Sequence, residues 1–134
     1  MSSPASSVSI VDDDAEVRAA LARLVASAGF DASVHAGGDE LLQAVAQRRP
    51  DCIVLDLQMP GTSGFDVLQA LARQQVDVPV VAITGYDSAA ARTAALGLGA
   101  RAYLCKPVDD EALLAAIADA IEPGSIGGRP NARG

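Results

Sequence analysis

The chain has 134 residues and a formal net charge of −7, and half of its residues are hydrophobic although only 3% are aromatic. This length fits one domain with an aliphatic core, and the negative charge argues against direct nucleic-acid binding because no basic stripe could neutralise phosphates. No apolar run approaches the roughly 20 residues of a membrane span, and no charged and then apolar leader begins the chain. We therefore expect a cytoplasmic protein without membrane contact.

The hydrophobic pattern predicts five strands that alternate with five helices. The strands are expected at residues 8–11, 30–35, 52–55, 78–83 and 102–105, and the helices that follow them at 15–28, 39–47, 65–74, 88–98 and 109–121. Small polar residues at 1–7 predict a disordered N-terminus, and the Gly-, Pro- and Arg-rich segment 122–134 predicts a flexible tail or the stub of a linker. The alternation predicts a doubly wound α/β fold, a parallel sheet with helices on both faces.

Some residues have ordinary structural interpretations. Asp13 and Glu16 have the spacing of a capping box, and Asp14 is expected to be a cap or a surface acid. Cys52 and Cys105 lack CxxC spacing and lie in apolar runs, which predicts two buried thiols without a disulfide or a metal. The single histidine, His35, is expected at the surface of an edge strand.

Polar side chains follow four of the predicted strands at their carboxyl ends. Asp12 and Asp13 follow the first strand, Asp56 the third, Thr84 the fourth and Lys106 the fifth. Ligands of such folds bind outside these strand ends, so we expect the five side chains to converge. Carboxylates this close repel one another and need a cation, and oxygen ligands alone favour Mg²⁺ or Mn²⁺ over zinc. The Thr84 hydroxyl and the Lys106 ammonium can both donate hydrogen bonds to the oxygens of a phosphoryl group bound beside a metal ion.

In these motifs the chain resembles the receiver domain of two-component response regulators. The motifs are Val11-Asp12-Asp13, Leu55-Asp56-Leu57-Gln58-Met59-Pro60-Gly61, Ile83-Thr84-Gly85 and Lys106-Pro107, in the family's order and spacing. The resemblance covers residues 8–121, and the Ile-Thr-Gly form is most similar to the FixJ-like branch. It implies a flavodoxin-like (βα)5 fold with strand order 2-1-3-4-5, in a protein that is a signalling switch with self-phosphorylation and self-dephosphorylation as its only activities.

The resemblance also implies a role for each acidic residue. Asp56 would be the phosphoacceptor and would take a phosphoryl group from the phosphohistidine of a sensor histidine kinase or a phosphotransfer protein. Asp13, Asp56 and the main-chain carbonyl of Gln58 would bind Mg²⁺ directly. Asp12 would bind the ion through water.

The switch residues are implied in the same way. Thr84 would move toward the phosphoryl group, and Tyr103 would turn inward behind it. Lys106 would pair with the phosphoryl oxygens. The Lys106-Pro107 bond would be cis. Tyr103 could instead be an ordinary core residue, because aromatic side chains favour strands.

The resemblance places the partners on two surfaces. A kinase would dock around the first helix, near Ala15, Arg18 and Ala19, beside the loop at 107–108. Output would pass through the fourth helix, fifth strand and fifth helix to a downstream protein or a missing output domain, and phosphorylation could produce a homodimer.

Three positions depart from the family pattern. Gln58 and Tyr86 occupy positions at which the family tunes the lifetime of the phosphoryl group, and the bulk of Tyr86 favours slow self-hydrolysis. Val108 stands where the family usually has Phe, which affects the packing of the fifth helix.

Two alternative functions compete with the switch. A phosphatase of the haloacid-dehalogenase kind also uses a strand-end Asp, but it typically carries a second Asp where this chain has Gln58, and its paired acids come late in the chain. A receiver fold that serves only as a binding module would have lost an acid, the Thr or the Lys, and this chain retains all of them.

Overall fold

The computed structural model describes residues 5–122 and shows a five-stranded parallel sheet in the order β2-β1-β3-β4-β5. Five helices connect the strands. The elements are β1 Ser7–Val11, α1 Ala15–Ser27, β2 Asp31–His35, α2 Gly38–Gln47, β3 Cys52–Asp56, α3 Gly64–Arg73, β4 Val80–Thr84, α4 Ala89–Gly97, β5 Ala102–Cys105 and α5 Asp110–Ile121. The predicted fold class and strand order are confirmed, and most of the predicted boundaries differ by one or two residues.

Two hydrophobic clusters hold the helices against the sheet. One cluster joins the sheet to α2, α3 and α4 and includes Ile53, Leu55 and Leu41, whereas the other joins it to α1 and α5 and includes Val54 and Val25. Successive residues of β3 belong to opposite clusters because side chains alternate across a strand. All five residues of β3 are buried, as expected for the central strand of a sheet covered on both faces.

The register of the sheet brings the strand ends to one edge. Val11 of β1 pairs with Leu55 of β3, and Asp56 pairs with Ile83 of β4. Beyond the strands, the main-chain N–H of Leu57 donates to the Ile83 carbonyl at 2.9 Å, and that of Lys106 donates to the Thr84 carbonyl at 2.8 Å. These bonds continue the pairing past the last strand residues and fix the positions of the loops that carry the polar groups.

The loop between β3 and α3 returns very close to the strand end. A Cβ on Gly64 would lie 2.5 Å from the Asp56 carbonyl oxygen and 2.7 Å from the Leu57 Cα. Because both neighbours are backbone atoms, a larger residue could not be accommodated without moving the chain. The absence of a side chain at Gly64 therefore allows α3 to begin directly behind Asp56.

The start of α1 differs from its prediction. Asp14 is the N-cap, and its carboxylate accepts from the N–H groups of Glu16 and Val17. The expected capping box between Asp13 and Glu16 is wrong, because the chain turns one residue later. This cap leaves the Asp13 carboxylate free of a structural role in the helix.

Two predictions about exposure and one about disorder need correction. Cys52 is buried, and burial raises its pKa to about 12, but Cys105 is exposed at the end of the edge strand β5. The His35 side chain is only 11% exposed, and Nδ1 lies 3.7 Å from Glu40 Oε2, so His35 is not a surface residue. Ser7 belongs to β1 and not to a disordered segment.

The predictions for residues 1–4 and 123–134 lie outside the described residues. Within residues 5–122, no helix is both long and apolar enough to cross a membrane.

Candidate functional site

Three carboxylates meet where β1 and β3 end. Asp12, Asp13 and Asp56 each offer one oxygen atom, and these oxygens all lie within 4.8 Å of one another. Asp12 and Asp56 are buried and Asp13 is exposed, so the group opens to solvent on one side. The structure therefore brings together the acids that the sequence predicts to converge.

Asp56 is 2% exposed, and its environment disfavours the ionised form. Burial raises the pKa of Asp56 from 3.8 to about 6. This net value includes smaller effects: the hydrogen bond from the Gln58 N–H to Asp56 Oδ1, at 3.1 Å, lowers the pKa, the charge of Asp12 raises it, and the charge of Lys106 lowers it. A carboxylate in this position is held ionised at neutral pH at a cost, and any added cation would relieve that cost.

The ammonium of Lys106 faces both buried acids. Its Nζ lies 3.0 Å from Asp12 Oδ2 and 3.5 Å from Asp56 Oδ2. Burial alone would lower the pKa of Lys106, but the hydrogen bond to Asp12 and the charge of Asp56 outweigh it, so the pKa is raised. The lysine remains charged, and it balances part of the negative charge of the group.

Asp12 is completely buried and is held from two sides. Its Oδ1 accepts a hydrogen bond from the Asp14 N–H at 2.9 Å, which leaves Oδ2 directed at Lys106. Its main-chain carbonyl accepts a hydrogen bond from Arg18 Nη1 at 2.7 Å. Arg18 lies one turn into α1 and supports the loop that carries the acids, a contact that the sequence does not predict.

The hydroxyl of Thr84 lies beside Asp56 on the neighbouring strand and is engaged on both sides. It donates a hydrogen bond to Oε1 of Gln58 and accepts one from the Tyr86 N–H at 3.0 Å. Thr84 has no exposed surface. The resemblance implies a metal-binding role for the main-chain carbonyl of Gln58, but neither it nor the sequence predicts this contact of the Gln58 side chain.

The two tyrosines differ in exposure. Tyr103 is buried, burial raises its pKa, and the Arg92 guanidinium lies 5.5 Å from the centre of its ring. Its side chain therefore already faces inward. Tyr86 is 75% exposed, so its ring would have to move in order to shield an acyl phosphate on Asp56 from water.

The donor set fits a hard divalent cation. Carboxylate oxygens are the protein ligands that Mg²⁺ prefers, and Mg²⁺ usually keeps several waters, which the exposed side of the group can supply. Nitrogen and sulfur ligands, which zinc would favour, are absent from this acidic group.

The comparisons with known proteins agree with this geometry. Residues 8–118 match the family model of the response regulator receiver domain. The chain belongs to this family. This family match supports a receiver domain and excludes a phosphatase of the haloacid-dehalogenase kind. The receiver family serves two-component signalling, in which a phosphoryl group is transferred to an aspartate.

Similar curated sequences include response regulators named MprA. The response regulator MprA of Mycobacterium leprae (strain TN) is 41% identical over 107 residues, which are 80% of this chain and 47% of that protein. The MprA protein of Mycobacterium sp. (strain KMS) is 40% identical over 106 residues. This receiver chain thus spans about half the length of the curated relatives it matches.

Solved structures with the same fold include FixJ-N and a chemotaxis protein. FixJ-N is 32% identical, with a TM-score of 0.82 and coverage of 87% of this chain and 94% of that chain. The chemotaxis protein CheY4 of Vibrio cholerae is 27% identical, with a TM-score of 0.81 and coverage of 87% and 98%. Because MprA and FixJ-N are both similar to this receiver, its placement in the FixJ-like branch stays a prediction.

Proposed function

We propose that Asp56 is the phosphoacceptor of this receiver and takes a phosphoryl group from a phosphohistidine of a sensor histidine kinase or a phosphotransfer protein. The observation that carries the proposal is the position of the Asp56 carboxylate, buried between two further carboxylates and the ammonium of Lys106. A group so placed can attack an incoming phosphorus atom from a fixed direction.

The transfer is a substitution at phosphorus. An Asp56 carboxylate oxygen forms a bond to phosphorus while the bond between phosphorus and the histidine nitrogen breaks, and the released imidazole keeps the electron pair and takes a proton from water. The product is an acyl phosphate on Asp56. Lys106 balances charge on the phosphoryl oxygens, because its Nζ already lies within 3.5 Å of the acceptor carboxylate.

Asp13, Asp56 and the main-chain carbonyl of Gln58 would hold Mg²⁺ or Mn²⁺, and Asp12 would contact the ion through water. Asp12 suits the indirect role because its Oδ1 is taken by the Asp14 N–H and its Oδ2 by Lys106. A bound divalent cation would offset the repulsion among the carboxylates and the charge that develops on the phosphoryl oxygens. Asp13 is exposed and has no capping role, so its carboxylate is available for direct ligation.

The acyl phosphate would act as a switch. Thr84 would turn toward the phosphoryl oxygens and Tyr103 would move further inward behind it, and these movements would change the face formed by α4, β5 and α5. Arg92 of α4 lies against the Tyr103 ring, so a movement of either residue is transmitted to α4. A downstream protein or a missing output domain would read this face, and homodimers could form on it after phosphorylation.

The wider context of the switch belongs to the same proposal. The receiver domain would comprise residues 8–121, and 122–134 would be a tail or the stub of a linker. The protein would act in the cytoplasm and would phosphorylate and dephosphorylate itself without other turnover. The kinase would dock beside α1 and the loop at 107–108, close to Arg18, which contacts the main chain of Asp12.

Incubation with Mg²⁺ and acetyl phosphate tests the proposal. Intact mass should show one acid-labile phosphoryl group on the wild-type protein, no adduct when Mg²⁺ is chelated, and no adduct on the Asp56→Asn variant. Steady release of phosphate without an adduct would indicate a phosphatase, and neither adduct nor release would indicate an inert binding module. Either result would contradict the proposal.

A further inference from the structure

The side chain of Gln58 links the proposed acceptor to the proposed switch residue. Its main-chain N–H donates to Asp56 Oδ1 at 3.1 Å, while its side-chain Oε1 accepts a hydrogen bond from the Thr84 hydroxyl. One residue of the β3–α3 loop therefore contacts both groups. A phosphoryl group on Asp56 would arrive within reach of both of these bonds.

The hydroxyl of Thr84 has no free hydrogen-bonding capacity for a phosphoryl oxygen in this conformation. A hydroxyl carries a single proton, and that proton is donated to Gln58. The oxygen accepts from the Tyr86 N–H at 3.0 Å, and Thr84 has no exposed surface at which water could serve as an exchange partner. The bond to Gln58 must break before Thr84 can donate to a phosphoryl group.

We propose that Gln58 is a latch, a positioning residue that holds Thr84 in the unphosphorylated conformation and opposes the switch. This inference rests on the proposed function, because it requires a phosphoryl group on Asp56 as the competitor for the Thr84 proton. The amide oxygen of Gln58 stabilises one of the two states and not the other, and only such differential contacts can shift a conformational equilibrium.

The latch predicts the sign of a substitution effect. Loss of the amide leaves the buried Thr84 proton without its acceptor in the unphosphorylated state, whereas the phosphorylated state loses nothing. The binding-competent population rises, and a phosphoryl mimic should bind about 3- to 10-fold more tightly, the factor that corresponds to one hydrogen bond. A residue that only supported the fold would weaken binding or leave it unchanged.

The test uses beryllofluoride, a tetrahedral mimic of the phosphoryl group, titrated by calorimetry into the whole chain at saturating Mg²⁺. Gln58→Met keeps the length of the side chain and removes the amide, and Gln58→Ala is a second variant in case the first packs badly. Gln69→Met makes the same chemical change at an exposed position of α3 and should leave the affinity unchanged. Thermal unfolding of each variant verifies that it is folded.

A double-mutant cycle shows whether Gln58 acts through Thr84. In a Thr84→Val background there is no hydroxyl to hold, so Gln58→Met should change the affinity by less than about 2-fold. Equal tightening in both backgrounds would overturn the latch, as would unchanged or weaker binding by Gln58→Met in the wild-type background. A wild-type protein that binds no beryllofluoride with Mg²⁺ would contradict the proposed function itself, and the latch with it.

Discussion

The cost of keeping Asp56 ionised should be measurable as a lower free energy of unfolding of the wild-type protein. Burial raises the pKa of Asp56 from 3.8 to about 6, and this difference corresponds to about 3 kcal/mol between the two protonation states. Asp56→Asn removes the charge and keeps an oxygen that can accept from the Gln58 N–H. In the absence of divalent cations at pH 7.5, we expect this variant to unfold with a free energy about 1–3 kcal/mol higher than that of the wild type.

The difference in stability between the variant and the wild type should also depend on pH. Because the pKa is higher in the folded than in the unfolded protein, the folded state binds more protons between pH 4 and 6, and wild-type stability falls as pH rises through that window. The advantage of the variant should therefore be small below about pH 4, grow up to about pH 6 and stay constant above. Lys106 does not change its charge in this range, since its pKa is raised above 10.5.

Urea unfolding at a series of pH values with a chelator present measures the effect. Asp119→Asn removes an exposed carboxylate from α5 and should change stability by less than about 0.5 kcal/mol. Added Mg²⁺ should stabilise the wild type more than Asp56→Asn and so reduce or reverse the difference. The reasoning would be refuted if Asp56→Asn were less stable than the wild type at pH 7.5 without metal, or if the difference were the same at every pH.

Three further predictions concern single contacts of the site. Lys106→Met should raise the pKa of Asp56 further in metal-free protein, because a charge that lowers this pKa is lost. Carbon NMR titration of the Asp56 carboxyl group measures the pKa, and a lower or unchanged pKa in the variant would contradict this prediction. Gly64→Ala should reduce the free energy of unfolding by about 1–3 kcal/mol in urea, whereas Gly97→Ala, with open space around it, should not; equal effects would contradict the close-approach argument. Tyr86→Ala should speed loss of the phosphoryl group if the ring moves over Asp56, and an unchanged rate of dephosphorylation would remove that hypothesis.

The groups at strand ends could be predicted from sequence because topology alone places them. An apolar run fixes a buried strand, and the carboxyl ends of parallel strands lie at one edge of the sheet, so Asp12, Asp56, Thr84 and Lys106 had to converge. The details of the loops were not predictable in this way. Both the contact of the Gln58 side chain with Thr84 and the close approach of Gly64 to the Asp56 carbonyl arise in this loop, and neither has a local sequence pattern.

The incorrect predictions for Asp13 and Cys105 also have physical causes in the fold. Asp14 caps α1 in place of Asp13 because Asp12 Oδ1 accepts from the Asp14 N–H and so tightens the turn before the helix. Cys105 was expected to be buried from its apolar neighbours, but β5 is the edge of the sheet and is covered incompletely. An apolar run does not distinguish an edge strand from a central one.

Mapping the modified residue tests the central claim most directly. Reduction of the acetyl phosphate-treated protein with borohydride would convert an aspartyl phosphate to homoserine, and tandem mass spectrometry of its peptides would locate the change. We predict homoserine at position 56 and at no other acidic residue of the group. Homoserine at position 12 or 13, or no homoserine in protein that carries the phosphoryl mass, would contradict the assignment of Asp56 as the acceptor.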